Sequence, residues 1–333
     1  MAIWLAMVLV LGTEAVILVV GRPWLPDAVG RHVDGLWFRA GELAVILALS
    51  TGALAVGILG DLAVGLGWRF RLGAQVLLAA ILAASGVRVT LFGPFSAPLV
   101  GGLVTVLWVV LLTNAFVFLN NMDGLAAGIG LVAALLFAAA QVQVGSLFAP
   151  AVMFVLAGVL LGFLVFNRYP ARLFLGDSGG NFLGFLLGAI TVAGTYFRYG
   201  EHDSSYNVLA PLLVMAVPLY ESASVFFVWW RERDAPAVLF DPQHFSYRLL
   251  QSGLTPPQAV RAILLVSLGA GLGTLLLHRV DAFGAATVVG QAVCSVGVVA
   301  VLEIAAVRRE RAGQSQQPVH RPRVTALAPE DSC

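Results

Sequence analysis

The sequence contains no lysine; all 19 of its basic residues are arginine. Its two cysteines, Cys294 and Cys333, are too few for a disulfide framework and show no zinc-ligand spacing. Charge of either sign is scarce, at 11% of residues against about 25% in soluble domains. There is no nucleotide-binding βαβ unit, no Walker loop and no His–Cys cluster, and Ser178 lacks the partners of a Ser–His–Asp set. A net charge of +1 gives bulk electrostatics no pull on nucleic acid. No stretch outside the C-terminal tail is polar enough for a soluble domain, and no repeat of fixed period occurs. The N-terminus does not read as an ordinary cleavable signal, because no arginine precedes Arg22 and Glu14 interrupts the apolar run.

What remains is apolar. Hydrophobic residues make up 59% of 333 positions, so the expected fold is an all-α, polytopic membrane helix bundle. A helix needs about 20 residues to cross the hydrocarbon core. Ten stretches approach that length: roughly 2–20, 43–59, 72–91, 98–118, 125–143, 148–166, 181–196, 208–229, 261–278 and 283–306. Residues 1–306 therefore read as one membrane domain, and 307–333, rich in Arg, Gln and Pro, as a disordered polar cytoplasmic tail. Residues 21–42 read as a Trp- and Pro-bearing interfacial loop. Glu14, Glu221 and Glu303 lie in or near spans, where a charge is costly, and are expected to face the bundle interior.

Arginine placement sets the orientation. With the N-terminus in the cytoplasm, thirteen of the 19 arginines fall on inside segments. The chain is expected in the cytoplasmic (inner) membrane with both termini inside. The same topology brings Asp61, Asn120, Asp123, Asp177, Asp241 and His244 to the cytoplasmic face, delivered by four separate segments.

Four phrases carry candidate chemistry. In "FVFLNNMDGLAAG" (116–128), Asp123 precedes a helix whose N-terminal end has free N–H groups and a partial positive charge, a natural place for phosphate. The plainer reading makes Asp123 the N-cap of that helix. In "FLGDSGGNFLG" (174–184), Asp177 sits in a glycine-rich helix start, where backbone N–H groups could approach an oxyanion. A carboxylate there suits Mg²⁺ shared with a diphosphate; the plainer reading is a helix start in a Gly-rich membrane protein. In "GILGDLAVGLGWRFRLGAQ" (57–75), Asp61 ends one span, and Arg69 and Arg71 open the next, as phosphate-binding cations or as membrane anchors. In "LFDPQHFSYRLLQSGLTPPQAVRA" (239–262), His244 and Arg248 are four apart, on one face if helical, and could hold a diphosphate; a solvated loop histidine is the commoner case.

Taken in order, with "VPLYES" between the last two, these phrases resemble the polyprenyl-phosphate N-acetylhexosamine-1-phosphate transferases over about residues 41–265. The resemblance implies a Mg²⁺-dependent (or Mn²⁺-dependent) reaction in which a polyprenyl phosphate attacks a UDP-N-acetylhexosamine and UMP leaves. It implies catalytic roles for Asp61, Asp123 and Asp177, with Asp177 and Asp61 as metal ligands. Asn120, Asn121, Arg69, Arg71, Ser178, Gly179, His244 and Arg248 are the expected substrate-binding residues. The expected partners are polyprenyl phosphate, the nucleotide sugar, the lipid bilayer and a second copy of the chain. The sequence departs from the family pattern where Gly60 and Asn120 replace aspartates, Val117 replaces an asparagine, and Ser246 and Tyr247 replace histidines. Only one span separates residues 21–42 from Asp61, where the family pattern has two. Two alternatives stay open: a non-catalytic relative that binds the carrier lipid or scaffolds other enzymes, and a small transporter using the three membrane glutamates.

Overall fold

The structure is a computed structural model that describes residues 1–21, 38–62, 67–89, 98–194, 196, 205–231, 245–251 and 253–314. Among them there are helices and turns but no strand. The helices are α1 (Ala2–Gly21), α2 (Ala40–Leu62), α3 (Trp68–Ala84), α4 (Pro98–Leu119), α5 (Leu125–Gln143), α6 (Phe148–Asn167) and α7 (Gly176–Ala193). They continue with α8 (Ala210–Val214), α9 (Ala216–Arg231), α10 (Phe245–Gln251), α11 (Pro256–Leu272) and α12 (Ala282–Gln314).

Among the described residues, six helices are long and apolar enough to cross a membrane: α2, α4, α5, α6, α11 and α12. The protein is therefore a multi-pass, all-α membrane bundle. Every one of the ten expected stretches contains helix, but α1, α3 and α7 are shorter in their apolar length or more polar at one end. The stretch expected as one span over 208–229 is broken instead. Its two halves meet at 61°. Pro218 explains the break, since it has no N–H to offer the Val214 carbonyl and its ring crowds that oxygen. Counted as one, the bent pair makes a seventh crossing.

Helix ends also shift in ways that matter for the site. The second expected span runs on to Leu62, which puts Asp61 in its last turn. The third starts at Trp68 and stops at Ala84, because Gly86, at φ +104°, turns the chain away. The seventh opens at Gly176, so Asp177 falls in its first turn. The last helix continues through residue 306 to Gln314, and the rest of the expected tail lies outside the described residues. So does most of the loop 21–42.

At the centre of the bundle is α7, buried at every residue from Ser178 to Thr191. Lipid tails are as apolar as the helices, so close backbone approach has to supply much of the packing energy. Gly180, Gly184 and Gly188 repeat every fourth residue along α7 and face α4. A Cβ on Gly184 would stand 2.7 Å from the Leu112 carbonyl oxygen. On the other flank, Gly57 of α2 meets α7 so closely that a Cβ there would overlap the Ser178 Cα. The three helices are in backbone contact, and this proximity makes a shared site at their ends possible.

The membrane glutamates diverge. Glu221 is fully buried in α9. Glu14, expected to face the interior, is exposed. Helix α1 packs through Ile3 and Met7 in its first half, while every residue from Gly12 to Ile17 is exposed. The side chain of Glu303 lies outside the described residues.

Candidate active site

The site forms where the ends of α2, α4 and α6 meet the beginnings of α3, α5 and α7. A carboxylate in the last turn of a helix sits at the negative end of that helix's dipole. Asp61 is such a carboxylate, and it is exposed. The opposing end of α7 offsets the cost, with Asp61 Oδ2 3.4 Å from the Ser178 backbone nitrogen. Asp177 has the favourable placement, an acid in the first turn of α7. Arg71, in the first turn of α3, donates to Asp177 Oδ2 through Nη1 at 2.7 Å. Through Nη2 it donates to the Gly60 carbonyl at 3.0 Å, satisfying one of the free carbonyls that end α2. Two carboxylates and one guanidinium thus cluster around the positive end of the most buried helix.

Beneath them lies a set of amides that the sequence reading did not single out. One turn below Arg71, Gln75 donates through Nε2 to Asn181 Oδ1 at 2.8 Å and accepts from Asn114 Nδ2 at 2.7 Å. Asn181 in turn donates to the Asp177 carbonyl at 2.8 Å. Arg71–Asp177 and Gln75–Asn181 are successive rungs, each four residues apart on both helices. Gln75 and Asn181 are buried. Unpaired, such amides would be costly; paired, they fix the register of α3, α4 and α7. The available signal in the sequence was three uncharged amides inside apolar helices.

Asp123 has a different task. Helix α5 begins after Gly124, which is at φ +78° and lacks a side-chain cap, so Asp123 is not its N-cap. The carboxylate accepts instead from the Ala171 N–H at 3.0 Å, in the turn between α6 and α7. Asn167 completes the clasp, accepting from the Gly124 N–H at 3.0 Å and donating to the Leu173 carbonyl at 2.8 Å. The turn at 120–124 is thereby tied to the segment that leads into Asp177. Among the described residues, no group of three or more His, Cys, Asp or Glu side chains is placed to hold one ion. Asp61 and Asp177 meet at α7, and Asp123 does not join them in a three-carboxylate cage, because it is committed to Ala171.

The remaining expected site residues divide. Arg69 is exposed, its guanidinium 5.5 Å from the centre of the Trp68 ring. Asn120 and Asn121 are half-buried in the turn at the end of α4. Ser178 is buried with its backbone nitrogen toward Asp61. Gly179 lies under Leu175, where a Cβ would stand 2.5 Å from that side chain, and Gly180 abuts α4. Of the two, Gly180 serves the packing of α7 on α4. Arg248 is half-buried on α10; His244 and Asp241 lie outside the described residues.

The donor chemistry fits a hard divalent cation, which favours one or two carboxylates together with phosphate oxygens. Asp61 and Asp177 would hold it, although Arg71 already stands on one Asp177 oxygen.

The structure is thus a bundle of apolar membrane helices with two carboxylates and an arginine clustered at one end. Residues 43–195 match glycosyl transferase family 4. The chain is 34% identical over 293 residues to the decaprenyl-phosphate N-acetylglucosaminephosphotransferase of Mycolicibacterium smegmatis, covering 77% of this chain and 69% of that protein. It is 32% identical over 266 residues to the phospho-N-acetylmuramoyl-pentapeptide-transferase of Desulforudis audaxviator, covering 72% and 73%. The chain belongs to glycosyl transferase family 4.

Proposed function

We propose that this protein transfers an N-acetylhexosamine-1-phosphate from a UDP-sugar to a polyprenyl phosphate at the cytoplasmic face of the inner membrane, starting a lipid-linked envelope glycan. The observation that carries the reading is the meeting of Asp61, Asp177 and Arg71 at the first turn of α7. The Mycolicibacterium relative's name supports a polyprenyl phosphate acceptor, and both relatives' names support a phosphorylated N-acetylated sugar as the transferred group.

Phosphoryl transfer asks the protein mainly for positioning and charge neutralisation. An oxygen of the lipid phosphate attacks the β-phosphorus, the bond to the UMP oxygen breaks, and UMP leaves. Asp61 and Asp177 are the residues that would hold Mg²⁺ or Mn²⁺, which when bound neutralises charge on the diphosphate. Arg69 and Arg71 face phosphate oxygens, and the free N–H groups of α7 add donors. Asn120, Asn121, Ser178, Gly179, His244 and Arg248 complete the substrate set. Asp123 is catalytic in this scheme both by its charge and by holding the turn before α7. A phosphate monoester with a second pKa near ~6 is largely ionised at neutral pH. The carboxylate missing at Gly60 is therefore not needed as a base.

The test is direct. Membranes containing the protein, supplied with polyprenyl phosphate, UDP-GlcNAc and Mg²⁺, are expected to release UMP and form a lipid-linked sugar. Asp177→Asn is expected to reduce turnover by at least ~10²-fold. Failure of every nucleotide sugar to give lipid-linked product, in membranes where a related enzyme does so, overturns the reading.

Gly60 and the Arg71–Asp177 pair favour one second reading, a non-catalytic relative that binds the carrier lipid. It predicts that Asp177→Asn leaves the cellular phenotype intact.

A further inference from the structure

Gly60 stands where the family pattern has an aspartate, and the structure shows what occupies the space. A Cβ on Gly60 would lie 2.6 Å from both Cζ and Nε of Arg71, inside contact distance. The guanidinium fills the volume that a side chain at position 60 would claim, and it puts a positive charge where the pattern has a negative one. The absence of a side chain at 60 and the position of Arg71 are therefore a single feature of this chain.

The pair Arg71–Asp177 is not built as a permanent structural lock. Asp177 is about one-third exposed and Arg71 about one-fifth, at 35% and 21% of their side-chain surfaces. The Arg71 Nε is buried without a hydrogen-bond partner, so the guanidinium leaves a donor unused in its present seat. The rung below it, Gln75–Asn181, is buried and carries the structural pairing of α3 with α7. Helix α3 thus stays in place whichever partner Arg71 takes.

We infer that Gly60, Arg71 and Asp177 form an exchangeable latch. In the cation-free protein the Arg71 guanidinium occupies the divalent cation's place on Asp177, and it is released toward the substrate's phosphates when the cation binds. This rests on the metal-site reading of Asp177 given above. A guanidinium and a divalent ion on one carboxylate repel each other, so binding of one weakens the other reciprocally. The latch keeps Asp177 neutralised while the site is empty. It also couples occupation of the site by metal to the availability of a cation for phosphate.

The experiment is Mn²⁺ binding to the full-length protein in detergent, followed by loss of the free-ion electron paramagnetic resonance signal. Arg71→Gln is expected to bind Mn²⁺ about tenfold more tightly than the unmodified protein, equivalent to about 1.4 kcal/mol. Gly60→Ala, which crowds the guanidinium out of its seat without removing it, is expected to shift affinity in the same direction. Arg71→Lys, which keeps the charge, is expected to stay within about threefold of the unmodified protein. Thermal melting supplies a second readout. Arg71→Gln melts lower in EDTA, and Mn²⁺ removes the deficit; a purely structural arginine would leave it in both conditions. Two results overturn the latch. If Asp177→Asn abolishes Mn²⁺ binding while Arg71→Gln leaves it unchanged or weaker, the latch fails and the metal site stands. If Asp177→Asn and the unmodified protein bind alike, both readings fail.

Discussion

Asp123 shows how much a single side chain's role depends on which donor it meets. From the sequence it was equally a helix cap or a phosphate-site carboxylate, since a residue before a helix can satisfy its own backbone. The structure gives it the Ala171 N–H, 48 positions away along the chain. Two substitutions separate charge from anchoring. Asp123→Asn keeps an oxygen for Ala171 and is expected to melt near the unmodified protein while losing about a hundredfold in kcat. Asp123→Ala loses the anchor as well and is expected to cost a further 1.5–3 kcal/mol or so in unfolding free energy. Equal activity of Asp123→Asn and the unmodified protein would leave the residue a purely structural clasp. Asp61 and Asp177 were legible in the sequence as charges at span ends. Gln75, Asn114 and Asn181 were not, because an isolated amide in an apolar run gives no sign of its partner.

Among the helices, α7 shows why glycine is used in the middle of a membrane bundle. Glycine in a helix interior weakens the isolated helix by about 1 kcal/mol relative to alanine. In α7 the cost is offset by backbone contact with α4 at Gly180, Gly184 and Gly188 and with α2 opposite Gly57. Gly184→Ala is expected to push α4 and α7 apart and destabilise the protein by about 1–3 kcal/mol, measured by thermal or denaturant unfolding in detergent. Gly158 on α6 has open space around it. Gly158→Ala is the control and should be neutral or slightly stabilising. A Gly184→Ala protein as stable as the control would mean that α4 and α7 have slack the packing does not show. Asp177 is carried on the same helix, so loosening at Gly184 should also lower activity. The helical character of these segments was readable from composition alone. Their ends were not, because Gly86 and Pro218 act through local backbone geometry that a hydropathy average smooths away.

For the whole molecule, the arrangement of helix ends defines two faces. Asp61, Arg71, Asp123, Asp177 and Arg172 lie at one end of the bundle. Arg88, beyond the far end of α3, lies at the other. The arginine balance predicts that the first end faces the cytoplasm. In a background with Cys294 and Cys333 replaced by serine, Arg88→Cys is expected to react with a membrane-impermeant maleimide from outside the cell. Arg172→Cys is expected to react only in inside-out vesicles. Both parent residues are exposed, so access follows the membrane side. Reversed labelling would place the site on the outer face and remove the cytoplasmic nucleotide sugar as donor.

The sequence by itself determined that this chain is a helical membrane protein with acids and arginines at the boundaries of its spans. That much follows from one-dimensional quantities: the length of apolar runs, the cost of charge in hydrocarbon and the positions of the few charges. Only the tertiary structure decided which boundaries meet. It joined Arg71 to Asp177, 106 positions apart, and Asp61 to Ser178, 117 positions apart, gave Asp123 a separate anchor and filled the gap at Gly60 with a guanidinium. Each of those outcomes depends on which helix ends pack together across the bundle, which no local pattern of residues encodes.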